Sequence, residues 1–553
     1  LKSVQTRSVC TSTRDTILRA IAAFTAISPL VGAATVEPID LNAYSAIREE
    51  GLNHSHAFEF AAQLADEIGP RLTGSPNLTK ANEWAEATLA QVGASGVHLE
   101  DFGEFGISWQ QRNTWMRMSS PDTMVFIAQA APWSVSTPGV VEAEAVEADI
   151  ANDADLAKYR GRLAGKIVFL GENPPSRIPF TPLARRFTDA ELRNGDAVAD
   201  IAHYYQIRPQ RLIHRSEESA FHDRLRKFLQ AEGVVAVVTP SQSSAEGSGA
   251  GNLTVATVSA QGSEPWLAAK RPTFPIAITA SENYGRVTRL LSHSIPVKIE
   301  LNIDARDTDL HGHGYNVVAD FPGVDAKLRR QIVLVTAHLD SWAGGTGATD
   351  DGAGVAISLE AVRILNQLNL KMRRTVRVVF NGGEEQGLLG ALAYAEQHFG
   401  VLPRSEDPVQ LRIFRAWRAS RGPVQKGPDY ANFCADYDMD AGGGRVRGVH
   451  TGGNPALAEI YRQWITPMSD LGVESVFDSP DWPADQSVYT DIGLPGIAFL
   501  QDPLDYDTQS RHTNMDTVER LSASDMAQAA TVEAIFIFNT ANRDDLLPRA
   551  AMK

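Results

Sequence analysis

Residues 331–354 read QIVLVTAHLDSWAGGTGATDDGAG, and the fold turns on how this stretch is read. Ile332 to Val335 is an unbroken apolar run. That is the pattern of a strand covered on both faces in a parallel sheet, not of a half-exposed edge. His338 and Asp340 stand where the run ends, followed by a glycine-rich loop and the acidic pair Asp350 and Asp351. Open α/β sheets gather their ligands at the C-terminal ends of strands. A His and carboxylates at that edge therefore predict half of a two-metal hydrolytic site. The glycines let the chain turn back so that Asp350 can face His338.

Outward from this stretch, strand and helix alternate. Strands are expected at Asn316–Ala319, Val376–Asn381, Asn432–Met439 and Gly496–Leu500. Helices are expected at Val355–Leu368, Leu388–His398, Ala456–Asp470 and Ser524–Asn539. This alternation predicts an α/β fold with a mostly parallel mixed sheet and helices on both faces. Upstream, helical spacing after His54 and again over Leu78–Gln91 flanks the loop GPRLTGSP, residues 69–76, and a strand follows at Val97–Phe102. Arg71 and Thr73 in that loop carry no role by themselves.

Between Met124 and Ile303 the texture changes to short β-rich runs, at Gly139–Val146, Lys166–Leu170, Val234–Val238 and Phe274–Ile278. No long amphipathic helix is expected there before Ala220–Gln230, and Arg177–Ser216 reads as an excursion on the surface of this module. His203, His214 and His222 lack acidic partners at metal spacing and read as surface residues. The tract Ser241–Gly251 reads as a flexible loop. The expected organisation is a catalytic domain in two parts, 35–123 and 304–553, interrupted by a β-rich insert over 124–303. Residues 1–34 carry a basic start (Lys2, Arg7, Arg14, Arg19), an apolar run (Ala20–Val31) and small residues (Gly32–Ala34). That is the layout of a secretory signal peptide, too short in its apolar part to span a bilayer, and it predicts a secreted or periplasmic protein.

At 553 residues the chain exceeds what one core organises. A formal net charge of -16 argues against a nucleic-acid or anionic-membrane partner, either of which wants a basic face. Two cysteines, Cys10 and Cys434, cannot form a disulfide framework.

The chemistry lies at successive strand ends. After Val376–Phe380 comes Glu384-Glu385 between glycines; after Asn432–Phe433 come Asp436, Asp438 and Asp440; after Gly496–Leu500 come His512 and Asp516. Four loops delivering His or carboxylate groups to one edge is not the pattern of a solvated charge cluster. Zinc in a two-metal geometry suits these residue types, because a carboxylate can bridge two ions. Glu384 and Glu385 cannot both point at one metal, so one ligates while the other acts as base. Asp340, two residues after His338, is placed to accept the other imidazole N–H.

The segments AHLDSW, GATDDGAG, NGGEEQG, DMDAGG and RHTNMDT resemble the co-catalytic di-zinc aminopeptidases and carboxypeptidases, particularly the plasma glutamate carboxypeptidase (carboxypeptidase Q) branch. The β-rich middle resembles that family's protease-associated insert. The resemblance implies two Zn²⁺ ions bridged by Asp350. His338 and Asp440 would complete one site and Glu385 and His512 the other; Asp438 stays open as the alternative to Asp440. Glu384 would be the general base and Asp340 the partner of His338. Loop position alone suggests a hydroxyl such as Tyr489 or Tyr506 near the oxyanion. Relatives often carry two consecutive His at the last motif, whereas here Arg511 precedes His512. A peptide substrate and a homodimer are further implications, with aminopeptidase, carboxypeptidase and dipeptidase action all open. The rival readings are a one-zinc glutaminyl cyclase and a receptor-like protein on the same architecture, which need not keep the full set of five ligands.

Overall fold

The computed structural model describes residues 36–173, 180–241 and 264–550. The signal-like segment and most of the Ser241–Gly251 tract lie outside the described residues. Strand Ile332–His338 sits in the middle of a mixed sheet, parallel to Thr375–Asn381 on one side and to Phe433–Asp438 on the other. Gly496–Gln501 extends the parallel set beyond Phe433–Asp438, and Val446–His450 closes against it antiparallel.

The apolar run splits by parity, as a strand must. Val333, Val335 and Ala337 enter one core with helices Ala353–Gln367 and Ala523–Asn542, while Ile332 and Leu334 enter another with helices Leu389–His398 and Gln486–Asp491. Both faces are covered, so an alternating sequence would be wrong here. The expected α/β architecture is what the chain adopts. Strand Val446–His450 and helices Leu41–Asn53 and Ser281–Ser292 add elements that the sequence reading omits.

The join between insert and catalytic part is more intimate than two domains on a linker. Strands Ser95–Ser120 and Lys298–Phe321 pair antiparallel along most of their length. Lys298–Phe321 pairs with Thr375–Asn381 near its C-terminal end and with Val141–Ala148 near its start. One sheet therefore runs on through Ile167–Leu170, Ala236–Pro240 and Ile276–Thr279, and residues 37–553 form one compact unit. A boundary at residue 303 falls inside a continuous strand.

The insert also departs from expectation in its helix. Ala199–Glu232 is one helix of 34 residues with Pro209 inside it, where the sequence suggested a helix only from Ala220. Its buried positions are sparse (Ile201, Ser216, Ser219, Leu225, Arg226, Leu229), which hides the periodicity. An interior proline costs about 3 kcal/mol, offset here by docking. The Tyr205 hydroxyl donates to the Asp481 carbonyl at 2.8 Å, Ser216 Oγ donates to the Val409 carbonyl at 2.7 Å, and Arg215 lies over the Trp417 ring at 5.0 Å.

Residues 183–216 thus form a strap against the C-terminal half of the chain, not an excursion on the insert's own surface. Just before the helix, Arg185 N donates to Leu504 O and Phe187 N to the Asp502 carboxylate, at 2.8 and 2.9 Å.

Candidate metal centre

The first two parallel strands deliver their groups to one edge. Strand Ile332–His338 ends on His338, and the chain returns through Gly347 to Asp350. Gly347 has φ 66°, and a Cβ there would collide with Ser341 and crowd the Arg71 guanidinium. Asp351, the second acid, points back instead. Its carboxylate accepts from His338 N at 3.2 Å and Gly354 N at 3.0 Å, tying the strand end to the start of helix Ala353–Gln367.

His338, Asp350 and Asp440 converge, with Nε2 of His338 lying 3.2 Å from Asp350 Oδ1 and 3.5 Å from Asp440 Oδ1. Asp350, Glu385 and His512 form a second cluster: Nε2 of His512 lies 3.2 Å from Asp350 Oδ2 and 3.1 Å from Glu385 Oε2. Asp350 belongs to both, one oxygen to each, which is the arrangement of a bridging carboxylate. Asp438 lies elsewhere. Its Oδ1 and Asp436 Oδ1 both contact Thr336 Oγ1, at 3.0 and 2.8 Å, and its Oδ2 accepts from Gln486 N. Burial raises the pKa of both acids, and each also raises that of its neighbours by its charge.

The donor set fits a pair of cations. His338 Nε2, Asp350 Oδ2 and Glu385 Oε1 are buried without a hydrogen-bond partner. Buried polar atoms in native proteins are normally satisfied, so orphans on three of the five convergent residues mark a place built for something else. Nitrogen from His with carboxylate oxygen is the ligand chemistry of zinc. The charges agree. Burial works against ionisation of His338, yet Asp440, Asp340 and Asp350 raise its pKa well above the ordinary value. Burial also lowers His512, but Glu385 and Asp350 carry it up to about 9. Both imidazoles thus stand in for positive charge among carboxylates.

The surrounding contacts correct one expectation. His338 Nδ1 lies 3.0 Å from the backbone carbonyl of Asp340 and 3.7 Å from its carboxylate, so the carbonyl sets the ring orientation. The Asp340 carboxylate accepts instead from Glu384 N at 3.1 Å, Glu385 N at 3.4 Å and Thr73 Oγ1 at 3.0 Å. It positions the backbone of the Glu pair. Tyr489 is also elsewhere: it is fully buried, packs on Phe399 and Phe433, and has Asp436 and Asp485 as neighbouring charges. Tyr506 is buried with its ring against Gly442, and the charges of Asp350 and Asp440 act on it.

Four residues outside the expected set hold the site. Arg71 is fully buried and its guanidinium donates to the carbonyls of Leu339, Gly69, Thr346 and Gly347 at 2.7–3.3 Å. Thr73 reaches Asp340 as above. Asp516 accepts from Thr349 N, Thr349 Oγ1 and Asp350 N, pinning the bridging loop. Trp342 Nε1 donates to Glu385 Oε2 at 2.6 Å. Sequence held a hint for Asp516 and Trp342, which lie in the segments RHTNMDT and AHLDSW that carry the family resemblance; for Arg71 and Thr73 the signal was only a glycine- and proline-flanked loop.

Fold and site together define a metallo-exopeptidase: residues 316–537 match the sequence model of peptidase family M28. The chain is similar to carboxypeptidase Q of Homo sapiens, 25% identical over 506 residues that span 90% of this chain and 88% of that protein. The Mus musculus protein is 26% identical over 504 residues, with the same coverage. Among solved structures, a peptidase M28 precursor from Shewanella amazonensis superposes with TM-score 0.63 at 23% identity, covering 93% of this chain and 99% of that one. BSAP, a zinc aminopeptidase from Bacillus subtilis, gives TM-score 0.52 at 18% identity, covering 88% and 95%.

Proposed function

We propose that the protein is an exported zinc-dependent exopeptidase that hydrolyses peptides with two zinc ions and Glu384 as general base. The observation that carries this reading is Asp350, whose two oxygens serve two separate His–carboxylate clusters. His338, Asp350 and Asp440 would hold one ion, and Asp350, Glu385 and His512 the other. Zinc bound there supplies Lewis acidity and a water of lowered pKa.

The chain's own residues do the rest. Glu385 is fixed by Trp342, which leaves Glu384, outside both clusters, to take the water's proton and return it to the leaving amine. Its position follows from Asp340, which holds both Glu amides. The Tyr506 hydroxyl is the candidate donor to the developing oxyanion. Export is supported by the signal-like start of the sequence; among the described residues no helix is long and apolar enough to cross a membrane.

Glu384→Gln tests the reading. It should keep two zinc ions per chain, by metal analysis, while kcat on dipeptides falls roughly 10²–10⁴-fold. Normal turnover by this variant would overturn the base assignment, and a single tightly bound ion in the wild type would overturn the bridge.

A further inference from the structure

We infer that Arg511 anchors the free α-carboxylate of the substrate's C-terminal residue, so that the scissile bond is the last peptide bond of the chain. The inference rests on the exopeptidase reading above and assigns a specificity role to a residue outside both ligand clusters.

Arg511 immediately precedes His512, at the end of a short helical turn over Tyr506–Ser510. Its backbone N–H donates to the Tyr506 carbonyl at 2.9 Å, which fixes where the side chain starts. His512, with φ 57°, then turns the chain sharply, so neighbouring residues can both serve one centre. The Arg511 side chain is solvent-exposed. Among the described residues it makes no hydrogen bond and no ion pair within 4.0 Å. This is unusual in company so acidic. The charges that act on it are those of Tyr506, Asp350, Asp440 and Asp507, two of them members of the metal clusters.

An unpaired guanidinium beside a two-cation centre has a definite electrostatic consequence. Zinc held by Asp350 and Asp440 would offset the negative charge that these two acids present to Arg511. Asp507 also acts on Arg511, and its charge is shared with Arg185 of the strap. A planar fork of donors with spare capacity suits one ligand above others, a carboxylate bound through two parallel hydrogen bonds.

The reach is right for an α-carboxylate. In an extended peptide the C-terminal carboxylate lies about 3.5 Å per residue beyond the scissile carbonyl. An arginine side chain that starts one residue from a metal ligand, and on which the charges of Asp350 and Asp440 act, would have the reach for the carboxylate of a leaving group one residue long. A leaving segment of several residues would carry its carboxylate past the guanidinium.

Matched substrates test the role. With the zinc-loaded enzyme, alanyl-leucine and alanyl-leucinamide are compared for wild type, Arg511→Ala and Arg511→Lys. The wild type should favour the free acid. Arg511→Ala should raise KM for the free acid about tenfold to a hundredfold, the loss expected for one charge-assisted contact. Its kcat/KM on the amide should fall several-fold less, and Arg511→Lys should recover part of the KM.

A second readout needs no turnover. Calorimetric binding of leucine to the zinc protein should weaken in Arg511→Ala, while leucinamide binding should be equally weak in both forms. Equal losses on acid and amide, with zinc content unchanged, would overturn the anchor and leave the exopeptidase reading standing. A wild type that cleaves neither substrate nor longer peptides, with two zinc ions bound, would overturn the exopeptidase reading and the anchor with it.

Discussion

Arg71 shows how much of this centre depends on a residue that touches no ligand side chain. Its guanidinium gathers carbonyls from both ends of the glycine-rich loop, from Leu339 to Gly347, and so fixes where Asp350 emerges. Burial lowers its pKa, opposed by Asp516, Asp351 and Asp340. Lysine has a point charge and three donors, and cannot match this fan of acceptors. Arg71→Lys should therefore weaken zinc binding about tenfold or more, the range seen when contacts behind metal ligands are lost. A chelator-competition titration measures this, and an unchanged affinity would show that the loop holds its shape unaided.

At the scale of elements, helix Ala523–Asn542 packs against Ala353–Gln367 through a buried acid. Glu533 is fully buried, accepts from Ser358 Oγ at 3.1 Å through Oε1, and leaves Oε2 without a partner. Burial pushes its carboxyl up to about 8, helped by Asp436 and opposed by the Ser358 contact. A carboxyl raised in the folded state holds a proton that the unfolded chain has released, so stability falls as pH rises from the unfolded value near 4.5 to about 8. Glu533→Gln removes that titration while keeping the shape. Its denaturation midpoint should match the wild type near pH 5 and exceed it near pH 8, by an amount worth a few kcal/mol. Parallel pH profiles for the two proteins would show that Glu533 ionises freely in the fold. The strap helix teaches the complementary lesson. Residues 199–219 are helical because Tyr205 and Ser216 dock on the peptidase half, not because their own pattern asks for it.

For the molecule as a whole, the strap is joined to the loop that carries His512. Asp502 is fully buried and accepts from Arg186 at 3.0 Å, from Arg445 and Arg447 at 3.1 Å, and from Phe187 N. Arg447 also donates to the Phe187 carbonyl at 2.8 Å. Removing the carboxylate strands a buried guanidinium, at a cost of roughly 3–5 kcal/mol. Asp502→Ala should lower the melting temperature and open residues 183–198 to proteolysis. A variant with unaltered proteolytic resistance would place the strap's attachment elsewhere. The fold class and the sheet edge that bears the site were legible from the apolar run and the residues at four strand ends. The extent of the insert's sheet was not, because Lys298–Phe321 belongs to both halves and no break in composition marks a strand that changes partners.

The sequence by itself determined the ligand types and their meeting place. A His or carboxylate just past a buried parallel strand has one edge to go to, so strand-end position brought His338, Asp350, the Glu384-Glu385 pair and His512 to a common edge, and the family resemblance chose Glu385 as the ligand. Tertiary structure decided the rest. It placed Asp440, the expected ligand, beside His338 and turned its alternative Asp438 toward Thr336. It gave the Asp340 carboxylate to the Glu amides, and it brought Arg71 and Thr73 across 276 and 267 residues of sequence. Contacts of that separation leave no local pattern, because a side chain's partner is fixed by which surfaces pack together and not by its neighbours along the chain.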